Sequence, residues 1–248
     1  MTANRTVVWF SCGAASAVAA KIAVESRQPV EVVYCDTSAS EHPDNARFLA
    51  DVERWIGQSV TVIKSDKYRS VDEVIEKRRY MSGIAGALCT VELKKIPRFG
   101  FQRPDDVHVF GLTFDETERI VRFTENNHDL SLWWPLVEQE LTKQDCLRRI
   151  TRAGIALPVL YQQGYRNNNC IGCVKASSAD YWNKIRADYP DVFAKRAAQE
   201  RELGVTLAKW KGQRVYLDEL PNKRVTRVKE NVSCGPECGL PFEDLTHA

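Results

Sequence analysis

The sequence predicts an α/β fold organised as a doubly wound parallel sheet, followed by a smaller helical region that carries cysteines. Two observations predict it. Short β-type runs alternate with amphipathic helical stretches through the first half, the rhythm of a parallel sheet with crossover helices. After about residue 135 the pattern changes to helices around a Gly- and Asn-rich loop that ends in a Cys-x-x-Cys pair, and no internal repeat or low-complexity tract interrupts either part. A length of 248 residues with 44% apolar side chains is ample for a hydrophobic core and is typical of globular chains.

Thr6–Phe10 (TVVWF) is the first strand candidate, and Ala14–Glu25 is an Ala-rich helix with apolar residues at helical spacing. Val30–Tyr34 (VEVVY) is the second strand. Asp44–Ile56 forms a helix with Phe48, Leu49, Val52 and Trp55 on one face. Val60–Lys64 is the third strand, Val71–Arg78 a helix, and Val107–Leu112 the fourth strand. Right-handed crossovers would distribute the helices over both faces. Thr142–Ala153 is a helix with a Thr N-cap and Gly154 just past its end. Helices Ala179–Asp188 and Asp191–Leu203 follow, separated at Pro190, and after Gly204 the chain reads as basic and irregular. The expected division is an α/β domain over 1–135 and a helical, cysteine-containing region over 136–248 that completes the site.

No apolar run approaches the ~20 residues of a membrane span, and the N-terminus enters a strand without signal-peptide architecture. The chain therefore reads as cytoplasmic, with no membrane partner. A net charge of +2 neither demands nor excludes nucleic acid. Eight cysteines in a reducing compartment argue against a disulfide scaffold. Cys146, inside a helical pattern, reads as core packing.

Chemistry concentrates at three turns and one pair. Ser11-Cys12-Gly13-Ala14-Ala15-Ser16 joins the first strand to the first helix, where open α/β sheets bind ligands. Gly13 admits a close backbone approach, Ser11 and Ser16 add hydroxyls, and the helix N-terminus offers free N–H groups, a combination suited to phosphate. It is not a Walker A loop. Asp36, followed by Thr37, holds the equivalent place after the second strand; it could meet a ribose or Mg²⁺, or simply cap a helix. Gly111–Arg122 follows the fourth strand, and Arg119 and Arg122 share a helical face that could grip phosphate or sulfate, or form a solvated ion-paired helix start. Cys170 and Cys173 could hold a metal or cycle as a redox pair.

Together these pieces resemble the phosphoadenosine phosphosulfate (PAPS) reductase family of adenine nucleotide alpha-hydrolase-like proteins. The resemblance rests on SCGAAS at 11–16 as a variant PP-loop and on YCDTSASEHPDNARF at 34–48. It also rests on CTVELK at 89–94, DETERIVR at 115–122 and the run from Pro135 through IALPVLYQQGY to the Cys pair. Ala15 stands where many PP-loop ATP pyrophosphatases carry Asp, Thr113 where Arg is common, and a lone Cys89 where cluster-bearing relatives have tandem cysteines.

The resemblance implies a Rossmann-like fold that binds an adenine nucleotide, ATP or PAPS, with Mg²⁺ in the ATP case. It implies an iron–sulfur cluster of 4Fe-4S type on Cys89, Cys170 and Cys173, with Cys234 or Cys238 as a fourth ligand or one iron left open to an extra sulfide; zinc is the alternative. Glu237-Cys238-Gly239-Leu240 is similar to the tail of sulfonucleotide reductases, where such a cysteine attacks sulfur, although Pro241 stands in place of the usual His. Three functions follow. The first is an ATP pyrophosphatase-type sulfurtransferase that thiolates a nucleic acid or nucleotide, similar to the enzymes of DNA phosphorothioation. The second is a PAPS or adenylylsulfate reductase using Cys238, and the third a non-catalytic nucleotide-binding cluster subunit. The implied partners are a sulfur donor such as a cysteine desulfurase, or a thioredoxin-like reductant, and oligomeric state stays open.

Overall fold

The computed structural model describes residues 4–27, 29–83, 86–232 and 234. The first half runs β1 (Thr6–Phe10), α1 (Ala14–Ser26), β2 (Val30–Cys35), α2 (Asn45–Ile56), β3 (Thr61–Ile63) and α3 (Val71–Arg78). It continues with α4 (Leu88–Thr90), a π-helical stretch Val91–Lys95, α5 (Ile96–Phe101), β4 (Val107–Phe110), α6 (Thr117–Glu125) and β5 (Ser131–Trp133). The second half adds α7 (Pro135–Glu138), α8 (Lys143–Arg152), α9 (Val159–Gln162), α10 (Ala179–Asp188), α11 (Pro190–Leu203) and a hairpin of β6 (Ala208–Trp210) and β7 (Gln213–Val215).

Five strands form one parallel sheet in the order β3-β2-β1-β4-β5. Val8 of β1 lies opposite Val32 of β2 and Val109 of β4. Every residue of β1 is buried, as a central strand covered on both faces requires. The two-residue period of the strand sorts its side chains. Val8 and Phe10, with Val32 and Tyr34 of β2, face a core built with α1, α2 and α8. Val7 and Trp9, with Val33 and Cys35, face a second core with Phe110, Ile120 and Phe123.

Helix α1 (AASAVAAKIAVES) is buried over most of its circumference, because Ala and Ser let the sheet, α2, α7 and α8 approach closely. Helix α2 buries Phe48 and Val52 completely and packs Leu49 and Trp55 at the edge of the same core, the face its spacing predicts. Helix α8 begins at a capping box in which Thr142 and Asp145 satisfy each other's backbone N–H groups, and Gly154 follows at φ 76°.

A third core joins both halves of the chain. Val71, Val74, Ile75, Cys89 and Leu93 pack there with Cys170, Cys173, Trp182, Ile185 and Cys234. No helix among the described residues is long and apolar enough to cross a membrane.

Three expectations need correction. The sheet has a fifth strand, β5, whose three residues are too few to show a period. The stretch 88–101 is helical although Pro97 and Gly100 interrupt its pattern; the π-helical turn runs straight into α5, with Pro97 in the first turn of α5. The segment after Gly204 is not irregular throughout: Lys211 and Gly212, both at positive φ, turn β6 back onto β7.

Candidate functional site

Chain order places the topological switch of the sheet between β1 and β4, since the connections leave β1 in opposite directions on its two sides. The loops after these two strands flank one cleft. Its walls include Ser11, Gly13, Ala15 and Ser16 from the first loop, and Gly111, Thr113, Asp115, Glu116 and Arg119 from the second. The opposite wall comes from Lys143, Tyr161, Arg166–Asn169, Asn231, Val232 and Cys234. The cleft holds about 100 Å³ of free space and opens to solvent.

The first loop is held by its own polar groups. Ser16 Oγ accepts the Ser11 N–H at 3.1 Å, lies 3.2 Å from Ser11 Oγ and donates to the Gly13 carbonyl at 3.0 Å. Cys12 takes a left-handed φ of 52° and turns its thiol into the core, where burial pushes its pKa well up. Gly111 is needed for close approach: a Cβ there would lie 2.6 Å from Ser16 N and 2.7 Å from Ser16 Cα. This glycine lets the end of β4 touch the first turn of α1. The Tyr161 hydroxyl accepts the Ala14 N–H at 3.4 Å, one of the orphan donors at the N-terminus of α1. Burial raises the Tyr161 phenol to about 12, so it stays protonated.

Asn168 ties this loop to a buried carboxylate. Its amide donates to the Cys12 carbonyl at 2.7 Å and to Asn45 Oδ1 at 2.8 Å, while Asn45 and Tyr34 donate to Glu41 at 2.7 and 2.9 Å. Thr37 Oγ1 is a third donor to Glu41. Asn168 is buried on the cleft wall and its Oδ1 has no partner among the described residues.

Seven described cysteines are free and buried. Four of them, Cys89, Cys170, Cys173 and Cys234, meet in one place and perturb one another's ionisation. Cys89 lies in α4, directly before the π-helical stretch, a distortion frequent at functional sites. Between the paired cysteines Gly172 adopts φ 65°, and a Cβ there would lie 2.6 Å from Val192 Cγ1. The Cys173 N–H donates to the Tyr181 hydroxyl at 2.8 Å.

Cys173 and Cys234 share a hydrogen bond that holds Cys234 well below the ordinary thiol range; Lys94 and Lys175 act in the same direction against burial. Cys173, the donor, is pushed well up. Burial, reinforced by Cys234, raises Cys89 to about 11. Lys94 is fully enclosed. Burial opposes its charge, but Cys234, Cys170 and Glu41 outweigh that and keep it cationic. Its Nζ donates to the Cys234 carbonyl at 2.8 Å. Among the described residues, no three His, Cys, Asp or Glu side chains come close enough together to hold a single metal ion.

The expected site residues therefore divide. Ser11, Gly13, Ser16, Gly111 and Arg119 line the cleft, with Arg119 paired to Glu116 at 2.7 Å. Cys12 and Ala14 shape the loop from behind. Cys89, Cys170, Cys173 and Cys234 converge, and Cys234 also lines the cleft. Asp36 and Thr37 do not line it. Burial disfavours the Asp36 charge, but the Ser38 hydroxyl and N–H and the Lys64 ammonium prevail and keep its carboxyl below the ordinary value. These contacts close a turn from Asp36 to Ser38, ahead of a short 3-10 helix whose N-cap is Thr37. Arg122 is exposed one turn further along α6, away from the cleft lining. Cys238 lies outside the described residues. Tyr161, Lys143 and Lys94 were not anticipated as site residues; the Gly- and Asn-rich stretch at 164–169 was the one sequence signal close to Tyr161 and Lys143.

Fold and cleft define a Rossmann-like α/β protein with its candidate ligand site at the switch point. No family model and no curated protein matches the chain.

Proposed function

We propose that this chain is an adenine-nucleotide-binding enzyme of sulfur chemistry related to the PAPS reductases, and that it acts as an ATP pyrophosphatase-type sulfurtransferase on a nucleic acid or nucleotide. The observation that carries the reading is Cys234, which belongs to both the wall of the cleft and the group of four thiols. A nucleotide in the cleft and sulfur chemistry at the thiols would share that wall.

The phosphate chain of ATP would lie against the free N–H groups at the start of α1, beside Ser11 and Ser16, with Arg119 and Lys143 offsetting its charge. Tyr161 keeps the loop in shape through the Ala14 N–H, and the open acceptor of Asn168 would take a hydroxyl or amino donor from the ligand. Asp115 and Glu116 are the carboxylates of the wall that a Mg²⁺ ion on the phosphates would meet.

The donor set of Cys89, Cys170, Cys173 and Cys234 fits an iron–sulfur cluster. Zinc, with Zn–S bonds of about 2.3 Å, would need the sulfurs drawn tightly around one ion, whereas a cluster carries its own sulfide between spread thiolates. Lys94, Lys175 and Arg196 are the cations that act on these thiols and would balance the charge of four thiolates. A cluster bound there would supply sulfide exchange or electron transfer. Anaerobically purified protein should absorb broadly near ~400 nm and contain iron and sulfide. It should also release pyrophosphate from ATP with an acceptor. Colourless protein that contains zinc and releases no pyrophosphate would defeat the reading.

The similarity of Glu237–Leu240 to reductase tails favours a second reading, sulfite release from PAPS or adenylylsulfate. Cys238→Ser should abolish that release, and undiminished sulfite production would dismiss it.

A further inference from the structure

A second cavity, about 660 Å³, adjoins the cleft and shares Asp115, Lys143, Tyr161 and Arg166 with it. That volume is in the range of small-molecule sites. Four cations line it: Lys143, Arg166, Arg227 and Lys229. None of the four makes an ion pair among the described residues. Lys143 Nζ donates to the neutral Asn167 and faces the Tyr161 ring at 5.6 Å. Asp115, the carboxylate of this wall, is engaged elsewhere: its Oδ1 accepts from Thr113 Oγ1 at 2.7 Å and from the Lys143 backbone N–H at 3.3 Å.

The cations are held in place by the backbone. Val228 is buried and its N–H donates to the Gly164 carbonyl at 2.9 Å, which sets Arg227 and Lys229 on either side of a fixed point. Gly164, at φ 92°, is required there, since a Cβ would lie 2.5 Å from the Thr226 carbonyl oxygen. Asn167 and Asn169 both donate to the Val232 carbonyl, at 2.9 and 2.7 Å, and Ser177 and Ser178 donate to Glu230. Four like charges around one cavity outnumber its single lining carboxylate, Asp115, and an anion relieves the repulsion among them.

We propose that this second cavity holds the acceptor, and that the acceptor is a phosphate-bearing nucleotide unit. Its phosphates would lie among the four cations, and its base against Tyr161 and the apolar side chains of Leu147 and Leu157. The proposal rests on the reading of the adjoining cleft as the adenine-nucleotide site. It assigns a second substrate rather than the remainder of the first, because a nucleoside is uncharged and needs no such set of cations. The shared wall of Lys143, Tyr161 and Arg166 would bring the two ligands into contact.

The test uses the full chain and two exposed residues, Arg227→Gln and Lys229→Gln combined. Fluorescence anisotropy with a labelled single strand of about 12 nucleotides measures one site, and ATP and adenosine binding by calorimetry the other. The double variant should bind the strand about tenfold more weakly and lose about 1.4 from the log–log salt slope, at ~0.7 per phosphate contact. ATP binding should stay within about twofold of the parent, a change below 1 kcal/mol. Competition by a mononucleotide as effective as the unlabelled strand would identify the source as free nucleotide; weak competition would identify it as a strand. Unchanged strand binding overturns the proposal. So does a parallel loss of ATP and adenosine affinity, which would give the cavity to the first nucleotide. If wild-type protein binds no ATP while strand binding still responds to the two glutamines, the reading of the cleft fails and the anion site stands.

Discussion

Replacing Lys143 by Met should make the free protein more stable and the liganded protein weaker. Lys143 is partly buried between the cleft and the second cavity; burial, with Arg166 nearby, lowers its pKa from 10.5 to about 8. A fall of that size corresponds to ~3 kcal/mol between the charged and neutral forms. The sign follows from proton counting. Between about 8 and 10.5 the folded state binds fewer protons than the unfolded state, so stability rises with pH through that window. Below it both states are protonated and the folded state carries the whole penalty. Methionine keeps most of the side-chain volume and removes the charge, but loses the hydrogen bond to Asn167, about 1 kcal/mol. The expected gain at pH 7 is about 2 kcal/mol, and it should shrink by about 2 kcal/mol by pH 9.5, where the folded wild-type lysine is already neutral. Urea unfolding of both proteins at the two pH values measures this. A variant less stable than wild type at pH 7, or a difference independent of pH, would refute the assignment of Lys143 as a penalised cation.

Other changes should separate the two parts of the site. Gly111→Ala forces a Cβ against the backbone of Ser16 and should cost about 1–3 kcal/mol, seen as a melting temperature lower by several degrees together with weakened nucleotide binding. Gly172→Ala combines a left-handed φ with a clash on Val192; iron content after anaerobic reconstitution should fall well below that of wild type, while retention of full iron would show that the turn tolerates the change. Cys234→Ser should reduce iron retention yet leave ATP affinity within about threefold, less than 1 kcal/mol; calorimetry and iron assay on one sample distinguish these effects. Thr142→Ala removes the cap of α8 and should cost about 1 kcal/mol in urea unfolding with no effect on iron.

The elements that were legible in the sequence are those with a clear period or a clear punctuation. The run TVVWF, the apolar face of α2 and the Thr142 cap each fix a local structure that tertiary contacts then reinforce. Strand β5 was not legible because three residues carry no period, and 88–101 was masked by Pro97 and Gly100. At the site, the loop 11–16 is local and could be read. The Tyr161–Ala14 contact spans 147 positions and has no local signature. The nearness of Cys89 to Cys170 is likewise a product of packing between α4 and the cysteine loop, and spacing alone says nothing of it. Asp36 and Arg122 occupy plausible places along the chain, yet their side chains are not among those that line the cleft.

The position of Cys234 in the chain sets an order of assembly. Cys89, Cys170 and Cys173 are synthesised first, and Cys234 lies 61 positions after Cys173. At about 5–20 residues per second, the last thiol follows some seconds behind its partners. Arg227 and Lys229 arrive in that same late stretch, beside the cavity they line. A ribosome that has finished the parallel sheet and three of the four thiols still holds a protein with part of the wall of each cavity missing. Asn231, Val232 and Cys234 wall the cleft and bring the fourth thiol, so the site is complete only after they are translated.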